Sequence, residues 1–344
     1  MKRLSLIFVA VAVLLTSFTA LVGLGDAQSN GLGITPRRDY VVKPGETIKD
    51  NLFIGNLSKD QNLKLSAKVV DFKAQDETGA PALELREKVD PTSWSIRPFV
   101  SVPESVDIEA GKSIQLPISI TIPPNQGAGS YYSAIKYEVT SSAGGSVNLL
   151  ASSATLVFVK VPGETKQLLK LQQLGAYVSK NETQGSFKKL FSSKPPKEFA
   201  FRLKNEGNIA EQPAGSAVIK NTFGKTVKQV DQINPHNSLI LIGQTRKFIT
   251  CIETEKTKIK DESGKEVDSE TCKPIKLAPG RYKIELSTLY GENGTNTREI
   301  NAKAVFWYLP AWFIILILAV VLVVGGGGYY TYNKQSHRFK KHKK

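Results

Sequence analysis

The C-terminal part of the sequence contains a long stretch without charged residues, and this stretch decides where the rest of the chain can lie. Between Lys303 and Lys334 there is no Asp, Glu, Lys or Arg, and residues 311–324 are almost wholly aliphatic. A helix of about 20 apolar residues spans the hydrocarbon core of a bilayer. We therefore predict a single transmembrane helix over residues 304–332, with most of the chain on one side of a membrane.

Aromatic residues flank this stretch, and a basic tail follows it. Trp and Tyr concentrate at the two interfaces of a bilayer, and short cytoplasmic segments are enriched in Lys and Arg. The tail, residues 333–344, contains several basic residues and no acidic one. It is predicted to be cytoplasmic, with the N-terminal portion extracellular at the cell membrane. The predicted membrane-interface anchors are Trp307, Tyr308, Trp312, Tyr329 and Tyr330.

The N-terminus has the pattern of a secretory leader. Lys2 and Arg3 precede an uncharged run that continues to Gly25, and a basic segment followed by an apolar one is typical of a signal peptide. Residues 1–27 are therefore predicted to be a signal peptide that is cleaved after Ala27. The apolar run is long for a leader, so an uncleaved membrane anchor is the alternative.

The region between these two segments has the pattern of β-strands. In residues 113–122, every second residue from Ile114 to Ile122 is aliphatic, and a period of two places these side chains on one face of a sheet. Pro117 falls on the opposite face and lacks an N–H group, which indicates an edge strand or a bulge. Many short strands separated by turn sequences predict an all-β region built of β-sandwiches.

The strand pattern partly repeats after a Pro-Gly boundary near residue 162. Each half has a strand that ends at an asparagine, Asn56 or Asn205, and a late strand that begins with Gly-x-Tyr, at residues 129 and 280. Asn and Gly tolerate a positive φ, and we therefore expect a positive φ at these corners. The repeat predicts two tandem immunoglobulin-like sandwiches, at residues 28–162 and 163–303.

The two cysteines of the chain, Cys251 and Cys272, lie in the second half. An even pair in an exported region favours a disulfide over two free thiols. In the chain-entropy model, closing a loop of this length stabilises the folded state by about 3 kcal/mol. The loop between them is rich in charged residues and is predicted to be a solvated hairpin.

The net charge of +15 limits the classes of partner. Without the leader and the tail, the ectodomain keeps a mild basic excess, which suits an anionic cell wall or lipid surface and equally suits ordinary solubility. It gives no argument for nucleic acid. The candidate contacts with an anionic polymer are Arg37, Arg38, Lys188, Lys189, Lys194 and Lys197. A solvated strand edge and a lysine-rich loop are the alternative interpretations of these residues.

The sequence lacks the residues that common catalytic and metal sites need. Two of the three histidines, His337 and His342, lie in the tail, and His236 stands alone. There is no nucleophile elbow, phosphate-binding loop or Cys–His combination. A glycosidase could still bring two distant carboxylates together. We expect a protein that is not an enzyme and that uses no metal or cofactor.

Four runs in the first half resemble a known family. They are Trp94-Ser-Ile-Arg-Pro-Phe-Val, Val106-Asp-Ile-Glu-Ala-Gly-Lys-Ser, Pro123-Pro124 and Gly129-Ser-Tyr-Tyr. They resemble the first domain of WxL-interacting proteins, which is described as a peptidoglycan-binding domain of surface proteins in Gram-positive-type bacteria. The family has a leader, this domain, a second β-sandwich, a membrane helix and a basic tail, and the layout of the whole chain resembles this order. The motifs of the second half do not resemble those of the family's second domain.

The resemblance implies a membrane-anchored surface binding or scaffold protein. Its expected partners are peptidoglycan or an anionic wall polymer, and other surface proteins, possible WxL-type proteins among them. The alternative is an immunoglobulin-like chaperone or assembly factor for exported surface proteins. A long exposed apolar edge strand would favour this alternative, and Pro117 in the strand from Ile114 to Ile122 argues against it. In the first case, β-strand addition at an open sheet edge is the expected way of docking. As a chaperone or assembly factor, the chain would instead hold strands of the exported protein that it assembles, its client.

Overall fold

A computed structural model describes residues 31–86, 89–142, 152–180, 185–187, 191–260, 264–291 and 298–341. Within these ranges the chain is mostly β-strand up to Tyr308, and one long α-helix follows. The predicted signal peptide with its cleavage site after Ala27, and the lysines Lys188 and Lys189, lie outside the described residues.

The first half of the chain forms two facing sheets. Its strands are β1 (Leu32–Ile34), β2 (Arg37–Val41), β3 (Thr47–Asn56), β4 (Leu63–Val70), β5 (Phe72–Ala74), β6 (Pro81–Leu83), β7 (Val100–Ser101), β8 (Ser105–Ile108), β9 (Ser113–Thr121), β10 (Gly129–Ser142) and β11 (Ser152–Val161). One sheet has the order β1-β3-β9-β7 and the other β2-β11-β10-β4-β8, while β5 and β6 form a separate hairpin. We call this unit the first sandwich.

The second half repeats this arrangement with its own two sheets. Its strands are β12 (Leu169–Ser179), β13 (Gly185–Phe187), β14 (Phe191–Ser192), β15 (Glu198–Asn205), β16 (Ala214–Asn221), β17 (Thr226–Val230), β18 (Thr245–Cys251), β19 (Glu253–Lys260), β20 (Glu266–Lys273), β21 (Gly280–Tyr290) and β22 (Arg298–Tyr308). The sheet orders are β13-β12-β15-β18 and β14-β22-β21-β16-β17. We call this unit the second sandwich, and the fold is two tandem immunoglobulin-like β-sandwiches followed by a helix.

The alternating sequence at residues 113–122 forms β9, as predicted. Its aliphatic side chains Leu116, Ile118 and Ile120 are buried between the two sheets of the first sandwich. Pro117 pairs with Asn51 of β3 without a register shift, and β7 pairs only farther along β9. β9 is therefore an inner strand rather than the predicted edge strand, but within the described residues its pairing with β7 stops at Ser119, before Pro117.

Both corner asparagines are buried and act as hydrogen-bonding hubs. Nδ2 of Asn56 donates to the carbonyls of Gln61 and Glu109 at 2.7 and 3.2 Å. Nδ2 of Asn205 donates to the carbonyls of Ile209 and Ile240 at 2.7 and 3.0 Å. The expected positive φ at these asparagines was wrong, because among the described residues other than glycine only Asn237 has one. The side-chain amides hold the corners instead.

The two Gly-x-Tyr sequences also make equivalent structures. The hydroxyl of Tyr131 donates to the carbonyl of Gly127 at 2.8 Å, and the hydroxyl of Tyr282 donates to the carbonyl of Ala278 at 2.7 Å. Each bond ties the start of a long strand to the turn before it, like the tyrosine corner of immunoglobulin-like folds. The weak sequence repeat thus corresponds to a repeat of tertiary contacts.

The predicted disulfide and hairpin are both present. Cys251 at the end of β18 is bonded to Cys272 in β20, with a Cα–Cα distance of 5.1 Å. Strands β19 and β20 pair with each other in a two-stranded sheet of mostly exposed residues. The disulfide therefore closes the base of a hairpin that extends from the second sandwich.

The helix, α1 (Ala311–Lys341), begins later than the predicted residue 304. Residues 304–308 continue β22, where Ala304 pairs with Ile284 and Phe306 with Tyr282 of β21. Hydropathy does not distinguish a buried strand from a membrane helix at this point, because residues 304–310 are apolar in either role. An 18-residue stretch of Ala311–Tyr332 has a mean hydropathy of 2.5, and the segment is long and apolar enough to cross a membrane.

Candidate binding cleft

The two sandwiches contact each other through a loop that follows β15. The carbonyl of Asn208 accepts a hydrogen bond from the N–H of Ser130 at 3.0 Å, and its Nδ2 donates to the carbonyl of Ala128 at 3.1 Å. The Oδ1 of Asn208 accepts from the N–H of Lys166 in the connection between the sandwiches, at 2.7 Å. One side chain thus ties the connection, the first sandwich and the second sandwich together.

The β5–β6 hairpin makes a second connection on the other side of the interface. The carbonyl of Glu77 accepts from the N–H of Lys247 at 2.7 Å, and its carboxylate lies 2.8 Å from the guanidinium of Arg202. Between the two connections, Leu241 of the second sandwich is buried against Phe72 and Tyr132 of the first. Polar contacts at both sides of an apolar cluster fix the angle between the sandwiches.

A cleft of about 710 Å³ opens beside this interface. On one side lie β2 and β11 of the first sandwich, and on the other side lie residues 209–212 and Leu239 of the second. Its walls combine apolar and polar surface. The side chains that matter below are Arg37, Tyr40, Val41, Phe158, Ala210 and Leu239.

Strand β2 presents an open edge to this cleft. It pairs in parallel with β11, and the bonds at its two ends run from the N–H of Leu156 to the carbonyl of Pro36 and from the N–H of Val42 to the carbonyl of Lys160. In a parallel pair, every second residue directs both backbone groups to the partner strand. The backbone groups of the even-numbered residues therefore face β11, and the N–H and C=O groups of Arg37, Asp39 and Val41 point away from β11, along the open edge of the sheet.

The side chains of β2 hold the strand in place. The guanidinium of Arg37 donates to both carboxylate oxygens of Asp39, at 2.6 and 2.8 Å, and lies 4.5 Å from the ring centroid of Phe158. The hydroxyl of Tyr40 donates to Oδ2 of Asp50 in β3 at 2.7 Å. Burial and this bond raise the pKa of the Tyr40 hydroxyl, and the same bond lowers the pKa of the Asp50 carboxyl.

The structure separates the residues that the sequence suggested as one anionic-polymer contact. Arg37 faces the cleft side of the sheet, whereas Arg38 lies near Asp50, with 3.8 Å between Nε and Oδ2. Lys194 and Lys197 follow β14, at the opposite end of the second sandwich from the cleft. The described members of the set do not converge on one site.

The predicted membrane anchors also fall into two groups. Trp307 and Tyr308 lie at the end of β22, whereas Trp312, Tyr329 and Tyr330 lie on α1 with well-exposed side chains. Sequence reasoning missed Val41, Phe158 and Ala210 as cleft residues. Phe158 belongs to an apolar strand that any buried sheet would contain, so its sequence carries no signal of the cleft.

No protein-family model matches the sequence, and no curated protein matches it. Solved structures with a similar fold include the class 5 fimbriae chaperone CfaA, which is 12% identical with a TM-score of 0.35 over 81% of this chain and 100% of that chain. The E. coli chaperone DraB is 13% identical with a TM-score of 0.33, over 80% and 98%. The Salmonella enterica SafA pilin–SafB chaperone complex is matched at 11% identity and a TM-score of 0.34, over 79% and 96%.

Proposed function

We propose that the chain is a membrane-anchored assembly factor that holds an extended segment of an exported surface protein in the cleft. The observation that carries this proposal is the row of outward N–H and C=O groups along β2. An unpaired strand edge is a template for another strand, and β-strand addition uses such an edge to bind extended peptides.

The cleft sets the length and chemistry of the segment. Strand β2 has five residues, which span about 17 Å in extended conformation. A client strand bonded to Arg37, Asp39 and Val41 would place every second side chain on the face of the sheet that carries Val41, and Leu239 lines the opposite side of the cleft. We therefore expect a short extended segment with alternating apolar residues and little net charge.

The anchoring is part of the same proposal. Helix α1 spans the membrane, the basic tail lies in the cytoplasm, and both sandwiches face outward. The disulfide between Cys251 and Cys272 supports this orientation, because disulfides persist in oxidising compartments. A client would then meet the cleft on the outer side of the membrane.

The geometry favours strand capture over the binding of an anionic wall polymer. The guanidinium of Arg37 is already engaged by Asp39, and Arg38 lies near Asp50. Wall binding and kinship with WxL-interacting proteins stay predictions from the sequence resemblance. The proposed role needs no catalytic residue and no cofactor.

A photo-crosslinking amino acid in place of Val41 tests the proposal in cells that produce the full chain. Val41 is 68% exposed in the cleft, and Leu57, which is 54% exposed on a loop of the first sandwich, is the matched control. We expect crosslinks from position 41 to extended segments of exported proteins, mapped by mass spectrometry. Equal capture of the same proteins from position 57 would contradict the proposal.

A pair of substitutions tests the backbone bond itself. Val41→Pro removes an outward N–H group and leaves the bonds to β11 in place, whereas Val41→Ala removes only the side chain. Client capture should fall sharply with proline and partly with alanine. An equal loss with both variants would show that the side chain, and not the strand edge, binds the client.

A further inference from the structure

The end of the second sandwich that is farthest from the cleft is joined to α1 without a flexible linker. Only Leu309 and Pro310 separate β22 from the helix. The N–H of Leu309 donates to the carbonyl of Ser192 in β14 at 2.9 Å, and the N–H of Phe313 donates to the carbonyl of Pro310 at 3.0 Å. A bilayer that surrounds Ala311–Tyr332 would therefore meet this end of the sheet directly.

Four strands of the five-stranded sheet bring their residues to this end. Phe191 of β14 pairs with Trp307 of β22, and Trp307 pairs with Arg281 of β21. The turn between β16 and β17 extends past the pair formed by Asn221 and Tyr282. We call the residues at this end, namely Phe191, Phe223, Lys225, Arg281 and Trp307, the basal surface.

The basal surface exposes large aromatic side chains. Phe223, at the tip of the β16–β17 turn, is 92% exposed, and Phe191, whose ring contacts that of Trp307, is 60% exposed. The turn that carries Phe223 is held by Oδ1 of Asn221, which accepts from the N–H groups of Phe223 and Lys225 at 3.0 Å each. Two exposed aromatic side chains therefore lie at the end of the second sandwich that adjoins α1.

The charge of the basal surface has one sign. Segments 191–197, 221–225 and 278–283 contain Lys or Arg but no Asp or Glu, and segment 304–310 contains no charged residue. Basic residues beside exposed aromatic rings are the composition of surfaces that lie in the membrane interface, where rings enter the headgroup region and cations meet anionic lipids. The continuity with α1 makes the bilayer, rather than a second protein, the partner that this surface fits.

We propose that the basal surface is a lipid-binding surface. Phe223, Phe191 and Trp307 enter the boundary between headgroups and acyl chains of the bilayer that holds α1, and Lys225 and Arg281 contact anionic headgroups. The basal surface of the second sandwich thus contacts the membrane, and the cleft lies at the opposite end of this sandwich. Strand β21 has 11 residues between the two ends, so the cleft is held about 35 Å above the membrane surface.

This proposal rests on the proposed anchoring of α1 but not on the function of the cleft. It is tested in the full chain, reconstituted in vesicles that contain anionic lipid, by fluorescent labels on single introduced cysteines. The native cysteines are joined in a disulfide, so each introduced cysteine is the free thiol. The positions are Phe223→Cys on the basal surface, Leu289→Cys near the cleft end of β21, and Trp312→Cys on α1.

Lipids with a nitroxide near the headgroup should quench the labels at 223 and 312 and leave the label at 289 bright. Quenching at 312, together with a label at 223 as bright as that at 289, would overturn the lipid-binding surface and leave the anchoring intact. A bright label at 312 would overturn the anchoring, and the lipid-binding surface with it. The three positions therefore distinguish the two failures.

The charge part of the proposal has its own test. Lys225→Glu together with Arg281→Glu should reduce the quenching of the label at 223 in anionic vesicles. Lys64→Glu together with Lys68→Glu makes the same charge change on exposed residues of the first sandwich, and this control should leave the quenching unchanged. Equal quenching with both double variants would contradict a role of Lys225 and Arg281.

Discussion

The two sandwiches share one internal plan but differ at their edge strands. In each, a short strand pairs in parallel with the last long strand: five-residue β2 with β11 and two-residue β14 with β22. The strand at the first of these edges lines the cleft, and the second edge lies beside the start of α1. The same corner contacts occur in both sandwiches, whereas the surroundings of the two equivalent edge strands differ.

A second pair of equivalent strands differs in the same way. The outer edge of β9 pairs with β7. Within the described part of the chain, no strand pairs with the outer edge of β18, and the N–H of Lys247 on that edge donates to Glu77 of the first sandwich. The outer edge of β18 in the second sandwich is thus used for contact with the first sandwich. The equivalent edge of β9 in the first sandwich is paired with β7 of the same sandwich.

The disulfide should stabilise one sandwich and not the other. Removing it by Cys251→Ser with Cys272→Ser should lower the free energy of unfolding of the second sandwich by about 3 kcal/mol. NMR of fluorine-labelled tryptophan can follow both units in the full chain, because Trp94 lies in the first sandwich and Trp307 in the second. An equal loss of stability at Trp94 would show that the two sandwiches unfold as one unit.

The corner asparagines should be equivalent if the internal plan is shared. Asn56→Ala and Asn205→Ala each leave buried carbonyl groups without a donor, and each should destabilise its own sandwich by about 2 kcal/mol. The same NMR signals report the effect, with Asn51→Ala, at an exposed position of β3, as the control. A small effect at only one corner would break the equivalence.

Alkaline pH should destabilise the first sandwich more than the second. Burial raises the pKa of Tyr40, Tyr132 and Tyr137 in the first sandwich and of Tyr282 in the second. A raised tyrosine pKa stabilises the folded state below the ordinary value of about 10, and this contribution is lost as pH rises through the folded-state pKa. The first sandwich should therefore lose more stability than the second as the pH rises above about 10, and Tyr40→Phe should reduce its loss.

The smallest effect is expected at acidic pH, where Asp50 has a lowered pKa because it accepts the hydrogen bond of Tyr40. Its contribution is present above the ordinary carboxyl value of about 4 and is lost as pH falls through the lowered folded-state pKa. Asp50→Asn should flatten this part of the pH dependence at Trp94 and leave the pH dependence at Trp307 unchanged. A steeper acid response in the variant would contradict the assigned direction.

Local sequence patterns predicted the strands and contacts that depend only on residues close together in the sequence. The alternation at residues 113–122 is enough to place β9, since period two alone decides which side chains face the core. The cysteine pair and the corner residues were recognisable for the same reason. Alternation also places neighbouring residues on opposite faces of a strand, so the separation of Arg37 and Arg38 was available from the sequence.

The cleft could not be predicted, because it depends on pairing between distant segments. Nothing in the sequence of Arg37–Val41 specifies a parallel partner in Ser152–Val161. The start of α1 was missed for a related reason: pairing of β22 with β21 keeps residues 304–308 extended, and composition does not show that pairing.

The open edge of β2 is the central claim, and residue-resolved amide hydrogen exchange of the full chain tests it most directly. In the free protein, the amides of Arg38 and Tyr40 should be protected by β11, whereas those of Asp39 and Val41 should exchange rapidly. Binding of the client identified by crosslinking at position 41 should protect Asp39 and Val41 as well. Protection of Asp39 and Val41 already in the free protein, or no gain in their protection with the client bound, would contradict the account.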